Sequence, residues 1–273
     1  MKIHFKTFGC KVNQCETNEM MRQMQDTGCR ITAIPDNADI IVINSCTVTA
    51  NADRKTKQYL RKCLRLNPES KLFLTGCYAD ISWKKLKSEF PNIKLFKNSQ
   101  KENILTVLGL PLPSTLYPLP STFSDRTRAY VKIQDGCDGK CSYCVVPKVR
   151  PELWSKNIDD VIKDVKNYVS AGHKEIVLCG IRLGKYQVKS QRLKVKSLVE
   201  LIRELEKIDG LYRIRLSSIE LHDITDDLIE LMSKSKKLCH HLHISLQSGD
   251  DGILRDMNRP YAAAQFFNKI EKI

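Results

Sequence analysis

Six cysteines in two groups of three are the residues of this sequence that are best suited to carry chemistry. The first group, the compact triad, lies in the run QDGCDGKCSYC and consists of Cys137, Cys141 and Cys144. The second group, the dispersed triad, follows three separate strand-like apolar runs and consists of Cys10, Cys46 and Cys77. Thiolates are the preferred ligands of iron–sulfur clusters. Because a triad leaves one iron of a cubane cluster open to a substrate or cofactor, two triads indicate redox chemistry.

An alternation of strands and helices in the first 110 residues is predicted to place the dispersed triad. Apolar patterns predict strands at 2–8, 40–44, 71–75 and 93–96, and helices at 13–27, 52–66, 82–89 and 101–108. This order is typical of a parallel sheet wrapped by helices. Since ligands of such a sheet bind beyond the carboxyl ends of its strands, we expect the three cysteines to converge at one edge. The alternative is that they are small apolar residues buried in turns.

The compact triad directly follows a strand predicted to end at Gln134. The carboxyl end of a barrel strand is where active sites collect, and cysteines this close together can ligate three corners of one cluster. Zinc is an alternative, although a structural zinc site needs four ligands, usually as two separated pairs. The sequence has no second Cys-x2-Cys pair, so a distant residue such as Cys179 would have to complete a zinc site. Buried thiols without metal are a further alternative.

Residues 126–273 contain a second alternation of strands and helices. Strands are predicted at 128–134, 174–179, 212–217 and 240–246, and helices at 157–171, 195–208, 225–234, 249–257 and 260–273. Repeated βα units of this length are typical of a TIM-type barrel, but only about four or five units fit. The fold class is therefore α/β, with a small parallel-sheet N-terminal domain, 1–110, a proline-rich linker, 111–125, and an incomplete barrel, 126–273.

Composition and charge limit the class of protein. The chain of 273 residues has no apolar run long enough to span a bilayer and no signal-peptide pattern, so we expect a cytoplasmic protein without a membrane partner. Eleven cysteines in that compartment favour metal binding or catalysis over disulfides. The net charge of +14 favours a nucleic-acid partner. An ordinary lysine-rich solvated surface accounts for the charge equally well.

The motifs around both triads resemble a known enzyme family. The Cys-x3-Cys-x2-Cys loop with Tyr143 before its last cysteine is similar to that of the radical S-adenosylmethionine (radical SAM) enzymes. The other motifs are similar to those of the methylthiotransferases, a radical SAM subfamily, and they are TFGCKVNQCE, INSCTVT, TGCYA, EIVLCGIRLGKY, RIRLSSIE and HLHISLQSGDDGILRDMNRPY. Within the subfamily the first and last of them most resemble the branch that acts on threonylcarbamoyladenosine in tRNA.

The resemblance implies a radical SAM barrel and an enzyme that carries out 2-methylthiolation of N6-threonylcarbamoyladenosine at tRNA position 37. It implies two 4Fe-4S clusters, one held by each triad, and S-adenosylmethionine (SAM) as cofactors. In this family SAM bound to the first cluster yields a 5′-deoxyadenosyl radical, and the second cluster carries the sulfur. The implied partners are tRNA, an electron donor such as a flavodoxin or ferredoxin, and a sulfur donor.

The resemblance also implies residues that contact the cofactors. Tyr143 is expected to shield the first cluster. Strand ends are expected to face SAM, at Ser217, Ser218, Glu220, Gln247 and Ser248. The remaining cysteines are interpreted as structural thiols, and they are Cys15, Cys29, Cys63, Cys179 and Cys239. The segment 182–196, which has six basic and no acidic residues, is expected either to contact RNA phosphates or to be a solvated loop.

Two departures from the family pattern leave other functions open. Pro151 and Glu152 stand where the family has a flexible glycine and basic residues, which affects the loop after the compact triad. The family pattern also continues past Ile273 with a further strand and a small RNA-binding domain. The alternatives are therefore a sibling methylthiotransferase, acting on isopentenyladenosine in tRNA or on a ribosomal protein aspartate, and a truncated, non-catalytic Fe–S or tRNA-binding remnant.

Overall fold

The structure is a computed structural model that describes residues 1–47, 49–111, 127–188 and 196–273. The chain divides into two compact units, Met1–Ser121 and Thr122–Ile273, which we call the N-terminal and C-terminal units. Apart from Pro111, the predicted linker 111–125 lies outside the described residues, and so does most of the second half of the basic segment 182–196. No helix among the described residues has the length and apolarity needed to cross a membrane.

The N-terminal unit contains a parallel sheet with strand order β2-β1-β3-β4-β5. Its described strands are β1 Lys2–Thr7, β2 Arg30–Thr32, β3 Ile40–Ser45, β4 Lys71–Gly76 and β5 Lys94–Leu95. Its described helices are α1 Lys11–Asp26, α2 Ala50–Leu66, α3 Cys77–Ile81, α4 Trp83–Glu89 and α5 Ile104–Leu108. Strand β2 is absent from the predicted strands, because it is only three residues long and pairs with β1 alone.

Helices cover both faces of this sheet, which explains the continuous apolar run of its central strand. All six residues of β3 are buried. Successive side chains of a strand point to opposite faces. Accordingly Ile41 and Ile43 pack in one apolar cluster, with Leu60 of α2, while Val42 packs in the other, with Met20 of α1. The α/β class predicted for this half is confirmed.

The C-terminal unit has a three-stranded parallel sheet of order β12-β9-β6 and three two-stranded sheets. Its described strands are β6 Arg128–Lys132, β7 Gln134–Asp135, β8 Trp154–Ser155, β9 Glu175–Cys179, β10 Gln187–Val188, β11 Lys196–Ser197, β12 Arg213–Leu216, β13 Ser218–Ile219 and β14 His243–Ile244. Its described helices are α6 Val146–Val149, α7 Ile158–Ser170, α8 Leu198–Glu206, α9 Asp226–Lys234, α10 Asp251–Asp256 and α11 Ala263–Lys272.

Two predicted strands of this unit are shorter than expected. The run 128–134 divides into β6 and β7, and β7 pairs with β8 in a hairpin that encloses the compact triad. The run 240–246 contributes only His243–Ile244, which pairs in parallel with β13. Apolar and polar residues alternate along 240–246, so the pattern itself did not reveal that the ladder is so short. Helices α7, α8 and α9 pack on the main sheet in a single apolar core.

Candidate metal centres

The dispersed triad lies at the carboxyl ends of three neighbouring parallel strands. Cys10 follows β1 and precedes α1, Cys46 directly follows β3, and Cys77 directly follows β4 and begins α3. Since β1, β3 and β4 are adjacent in the sheet, their ends are spaced by the ~4.8 Å that separates neighbouring strands. The fold therefore brings the three cysteines to one edge, as the sequence order predicts.

Two glycines allow the chain to approach the end of β3 closely. Gly9 precedes Cys10 and has φ +111°, and a Cβ at this position would lie 2.4 Å from the Cβ of Cys46. Gly76 precedes Cys77 and has φ +100°, and its Cβ would lie 2.1 Å from the carbonyl oxygen of Ser45. Both glycines hold a left-handed conformation that other residues rarely adopt. Each is thus required for a cysteine to sit against the central strand.

A buried amide holds the same edge together. The Nδ2 of Asn13 donates to the carbonyl oxygens of Phe8, at 2.9 Å, and of Ser45, at 3.0 Å. Its Oδ1 lies 3.9 Å from the sulfur of Cys10 and accepts a hydrogen bond from that thiol. Ser45 in turn donates from its hydroxyl to the carbonyl of Thr75, at 2.5 Å. Asn13 therefore orders the candidate site; it was not among the predicted site residues, although its position three residues after Cys10 was a usable signal.

The compact triad lies in a loop that the β7–β8 hairpin closes. The backbone N–H of Cys137 donates to the carbonyl of Arg150, at 3.0 Å. Gly136, with φ +80°, passes so close to Glu152 that a Cβ would lie 1.8 Å from its carbonyl oxygen. The buried guanidinium of Arg150 donates to both carboxylate oxygens of Asp135, at 2.8 and 2.7 Å. The segment around Pro151 and Glu152, the two residues that depart from the family pattern, therefore closes the loop.

Gly139 lies beside two of the sulfurs of this loop. The N–H of Gly139 donates to the sulfur of Cys137, at 3.3 Å. A Cβ on Gly139 would lie 3.1 Å from that sulfur and 4.0 Å from the sulfur of Cys141, so the glycine leaves a cradle between them. Burial raises the pKa of the Cys137 thiol, while the Gly139 N–H and the nearby Arg182 act to lower it.

The donor set fits a cluster at each triad. Each site offers three thiols and a glycine at which a Cβ would lie close to a sulfur, and at the compact triad a backbone N–H donates to a sulfur. Within the described ranges, no three His, Cys, Asp or Glu side chains are gathered as ligands of a single metal ion. A cluster takes one thiolate at each iron. Its cysteines therefore need not converge on one point.

The residues expected to face SAM have different surroundings. The hydroxyl of Ser217 is buried and has no hydrogen-bond partner among the described residues. The hydroxyl of Ser218 is 2.9 Å from the Nδ1 of His243, and the carboxylate of Glu220 accepts from Arg259. Gln247 has φ +66°, and the Oγ of Ser248 accepts from the N–H of Asp250, at 3.1 Å. Ser217 alone among these five presents an unsatisfied buried polar atom.

Tyr143 is half exposed beside the charges of the compact triad. Burial is the largest cause of the raised pKa of its hydroxyl, and Cys141, Glu220 and Cys144 raise it further, whereas Arg259 lowers it. The structure thus brings Tyr143 and Glu220 to the same group of residues as the compact triad. Arg259 joins them through Cys141 and Glu220, and it was not among the predicted site residues.

Arg182 begins the basic segment but is engaged by carboxylates. Its guanidinium donates to Asp138 between the first two cysteines of the compact triad, at 2.5 Å, and to Asp223, at 3.2 Å. Its backbone N–H donates to the side chain of Gln134, at 2.7 Å. Tyr186 in the same segment is fully buried. The expectation that the whole segment contacts RNA or solvent is wrong for these two residues, because the fold uses both internally.

Family models match both units of the chain. Residues 2–97 match the model described as Uncharacterized protein family UPF0004. Residues 131–273, more than half of the chain, match that of the Radical SAM superfamily. The radical SAM methyltransferase TsrM from Kitasatospora setae has a similar fold, with a TM-score of 0.66 at 11% sequence identity over 99% of this chain and 65% of TsrM. This likeness supports the partial TIM-like barrel.

Curated relatives are similar over almost the whole of this chain. The threonylcarbamoyladenosine tRNA methylthiotransferase MtaB of Thermotoga maritima is 34% identical over 99% of this chain and 64% of its own length. That of Aquifex aeolicus is 31% identical over 97% of this chain and 68% of its own length. The chain spans 62–64% of the length of three such relatives. It belongs to the radical SAM superfamily and, within it, to the methylthiotransferases of MtaB type.

Proposed function

We propose that the chain catalyses radical SAM-dependent 2-methylthiolation of N6-threonylcarbamoyladenosine at tRNA position 37. The observation that carries the proposal is the presence of two cysteine triads, each at a strand's carboxyl end, in a chain 34% identical to an MtaB enzyme. Membership of the radical SAM superfamily supports SAM and an iron–sulfur cluster as cofactors. The second cluster, the tRNA substrate and the donors of electrons and sulfur are parts of the proposal.

Each triad would hold one 4Fe-4S cluster. The thiolates of Cys137, Cys141 and Cys144 would hold the cluster that binds SAM. The thiolates of Cys10, Cys46 and Cys77 would hold the auxiliary cluster. When bound, these groups supply the one-electron cleavage of SAM and the sulfur. The protein supplies binding and orientation, since in cofactor enzymes the difficult chemistry belongs to the cofactor.

The chain's own residues would orient the cofactor and order the loop. The unpartnered buried hydroxyl of Ser217 would bind a polar group of SAM, because a buried hydroxyl without a partner is costly. The N–H of Gly139 stabilises the thiolate form of Cys137 through its hydrogen bond to sulfur. The exposed part of Tyr143 would cover the cluster from solvent. The other residues expected to face SAM, including Gln247 and Ser248, stay predictions.

The charge distribution of the N-terminal unit supports an RNA partner. Helices α2 and α4 together carry nine basic and two acidic residues. One of the two acidic residues, Glu89, accepts from both Lys57 and Arg61. It therefore does not neutralise the other basic residues of the two helices. We call the exposed basic residues of α2 and α4 the basic face, and they are Arg54, Lys55, Arg61, Lys62, Arg65, Lys84, Lys85 and Lys87. The basic face begins close to Cys46, since α2 starts four residues later, at Ala50. RNA phosphates bound along this face would bring a nucleotide toward the sheet edge that carries the dispersed triad.

Anaerobic reconstitution and nucleoside analysis test the proposal. We expect the reconstituted chain to bind iron and sulfide and, with SAM and dithionite, to release 5′-deoxyadenosine. Expression in a strain that lacks the corresponding enzyme should restore the 2-methylthio derivative of threonylcarbamoyladenosine, detected by mass spectrometry of digested tRNA. Restoration of the isopentenyladenosine derivative would indicate the sibling tRNA enzyme instead. Iron binding without 5′-deoxyadenosine would indicate a non-catalytic protein.

A further inference from the structure

The turn that ends helix α10 holds the compact-triad loop from a distance of more than 110 residues in sequence. The side chain of Asn258 donates to the carbonyl of Lys140, at 2.7 Å. The N–H of Ser142 donates to the carbonyl of Met257, at 3.2 Å, and its hydroxyl donates to the carbonyl of Asp256, at 2.8 Å. Asn258 has φ +55°, which turns the chain after the helix. The loop is therefore held on both sides of Cys141.

The next residue of this turn, Arg259, contacts the cysteine itself. Its Nη1 donates to the sulfur of Cys141, at 3.2 Å, and its Nη2 donates to the carboxylate of Glu220. Its guanidinium carbon lies 5.2 Å from the ring centre of Tyr261. The side chain is only 3% exposed, and its Nε has no hydrogen-bond partner in the part of the chain that the structure describes. A buried cation thus donates a hydrogen bond to Cys141, one of the cysteines proposed to hold the cluster.

We propose that Arg259 is a positioning residue that fixes the sulfur of Cys141 and sets the reduction potential of the SAM-binding cluster. This inference rests on the proposed function. The planar guanidinium presents several N–H donors in a fixed geometry, so it can serve the sulfur and the carboxylate at once, which the single ammonium of lysine does poorly. Hydrogen bonds to the sulfurs are one of the means by which proteins set cluster potentials.

The sign of the effect follows from charge. One-electron reduction adds a negative charge to the cluster and breaks no bond. A buried cation that donates to a ligating sulfur stabilises the reduced form more than the oxidised form, because opposite charges attract strongly where water is excluded. Removing that cation also leaves the Glu220 carboxylate without its partner, which disfavours reduction further. Arg259 therefore makes the cluster easier to reduce.

The test compares Arg259→Met, which removes the charge and keeps the length, with Arg255→Met. Arg255 is exposed on α10, four residues before Arg259, so the control removes the same charge from a neighbouring part of the chain. Both variants are made in a chain that also carries Cys10→Ala, Cys46→Ala and Cys77→Ala. Only the cluster of the compact triad then contributes to the measured signal. Potentials are read by electron paramagnetic resonance during a dithionite titration. We expect Arg259→Met to disfavour reduction at least tenfold, which is about 59 mV for one electron, and Arg255→Met to match the parent.

Arg259→Lys keeps the positive charge but removes the planar set of N–H donors, so it separates these two contributions. It should give a potential between those of the parent and of Arg259→Met. An Arg259→Met variant with full iron content and the potential of Arg255→Met would overturn the proposal. Loss of iron from either Arg259 variant supports the positioning role if the apoprotein melts at the parent's temperature. Loss of iron together with a lowered melting temperature would overturn it in favour of a structural role. A parent chain that binds no iron would refute the proposed function instead.

Discussion

Replacing Gly9 with alanine should destroy the site of the dispersed triad while leaving the compact triad intact. A Cβ on Gly9 would lie 2.4 Å from the Cβ of Cys46, 2.9 Å from its sulfur and 3.1 Å from the Nδ2 of Asn13. Carbon atoms in contact are normally separated by about 3.5–4.0 Å. Either the turn or Cys46 must therefore move by roughly 1 Å. Both responses displace a cysteine of the triad.

The chain contains a matched control in Gly28. Gly28 also has a positive φ, +78°, but no atom lies within 4 Å of the position its Cβ would take. Gly28→Ala therefore carries only the conformational cost, about 1–2 kcal/mol for a left-handed residue. Gly9→Ala carries a similar cost and adds overpacking, typically about 1–3 kcal/mol. We expect Gly9→Ala to lower the free energy of unfolding of the N-terminal unit by about 2–5 kcal/mol.

Iron content and urea unfolding measure the two parts of this prediction. Under anaerobic reconstitution, Gly9→Ala should bind about half of the iron of the parent, since one of the two proposed clusters is lost. Gly28→Ala should bind all of it. A Gly9→Ala variant with the iron content and the unfolding free energy of Gly28→Ala would show that the close approach to Cys46 is not needed, and the reasoning would fail.

Three further predictions concern stability, RNA binding and pH. Lys101→Met should lower the unfolding free energy by about 3–5 kcal/mol in urea melts, because it removes the cation of a buried ion pair whose ammonium lies 2.6 Å from the Glu16 carboxylate. Removing three basic-face charges should weaken tRNA binding and reduce the slope of log K against log salt by roughly 2–3 in filter-binding titrations. The variant for this test is Lys55→Gln, Lys62→Gln, Lys84→Gln. Burial raises the pKa of the Cys63 thiol to about 11 from the usual 9.0. The folded state therefore binds its proton more tightly, and the unfolding free energy should fall between pH 9 and 11. Cys63→Ala should show a shallower fall in pH-dependent urea melts.

Each of these three predictions has a control or a contrary result within the same unit. Lys97→Met removes an exposed charge and should change the unfolding free energy by less than about 0.5 kcal/mol. The control for the basic face carries the same charge change at the amino ends of strands, away from the cysteine edge, as Lys2→Gln, Lys71→Gln, Lys94→Gln. Equal weakening by both triple variants would show that net charge alone governs binding. An unchanged pH dependence of the unfolding free energy in Cys63→Ala would show that the Cys63 thiol does not cause it.

The order of elements and the position of the dispersed triad were predictable from the sequence. Continuous apolar runs at 40–44 and 71–75 indicate buried parallel strands, and the structure confirms them as β3 and β4. Once the strands are known to be parallel, the edge at which Cys46 and Cys77 lie follows from chain direction alone. The three-residue strand β2 and the hairpin β7–β8 were not predictable, because strands this short carry no hydrophobic period.

The contacts around the compact triad were not predictable in the same way. Arg182 and Arg259 are polar residues whose partners Asp138 and Cys141 lie far away in sequence, whereas Asn13 lies only three residues after Cys10. Sequence composition does not distinguish such residues from exposed surface charges, and Arg182 was accordingly assigned to a basic segment. Only tertiary structure reveals that its guanidinium faces two carboxylates and is 13% exposed.

The two triads are organised by different physical means, and this difference explains their different spacing in sequence. The compact triad lies within eight residues, so local turns at Gly136 and Gly139 bring the sulfurs of Cys137 and Cys141 near one another, and the α10 turn needs only to fix the loop. The dispersed triad spans 68 residues and exists only when β1, β3 and β4 are paired. Its sulfurs are therefore separated by any opening of the sheet. The proposed auxiliary cluster would bridge three strands, so it would bind the folded sheet in preference to the unfolded chain and would stabilise the fold by mass action.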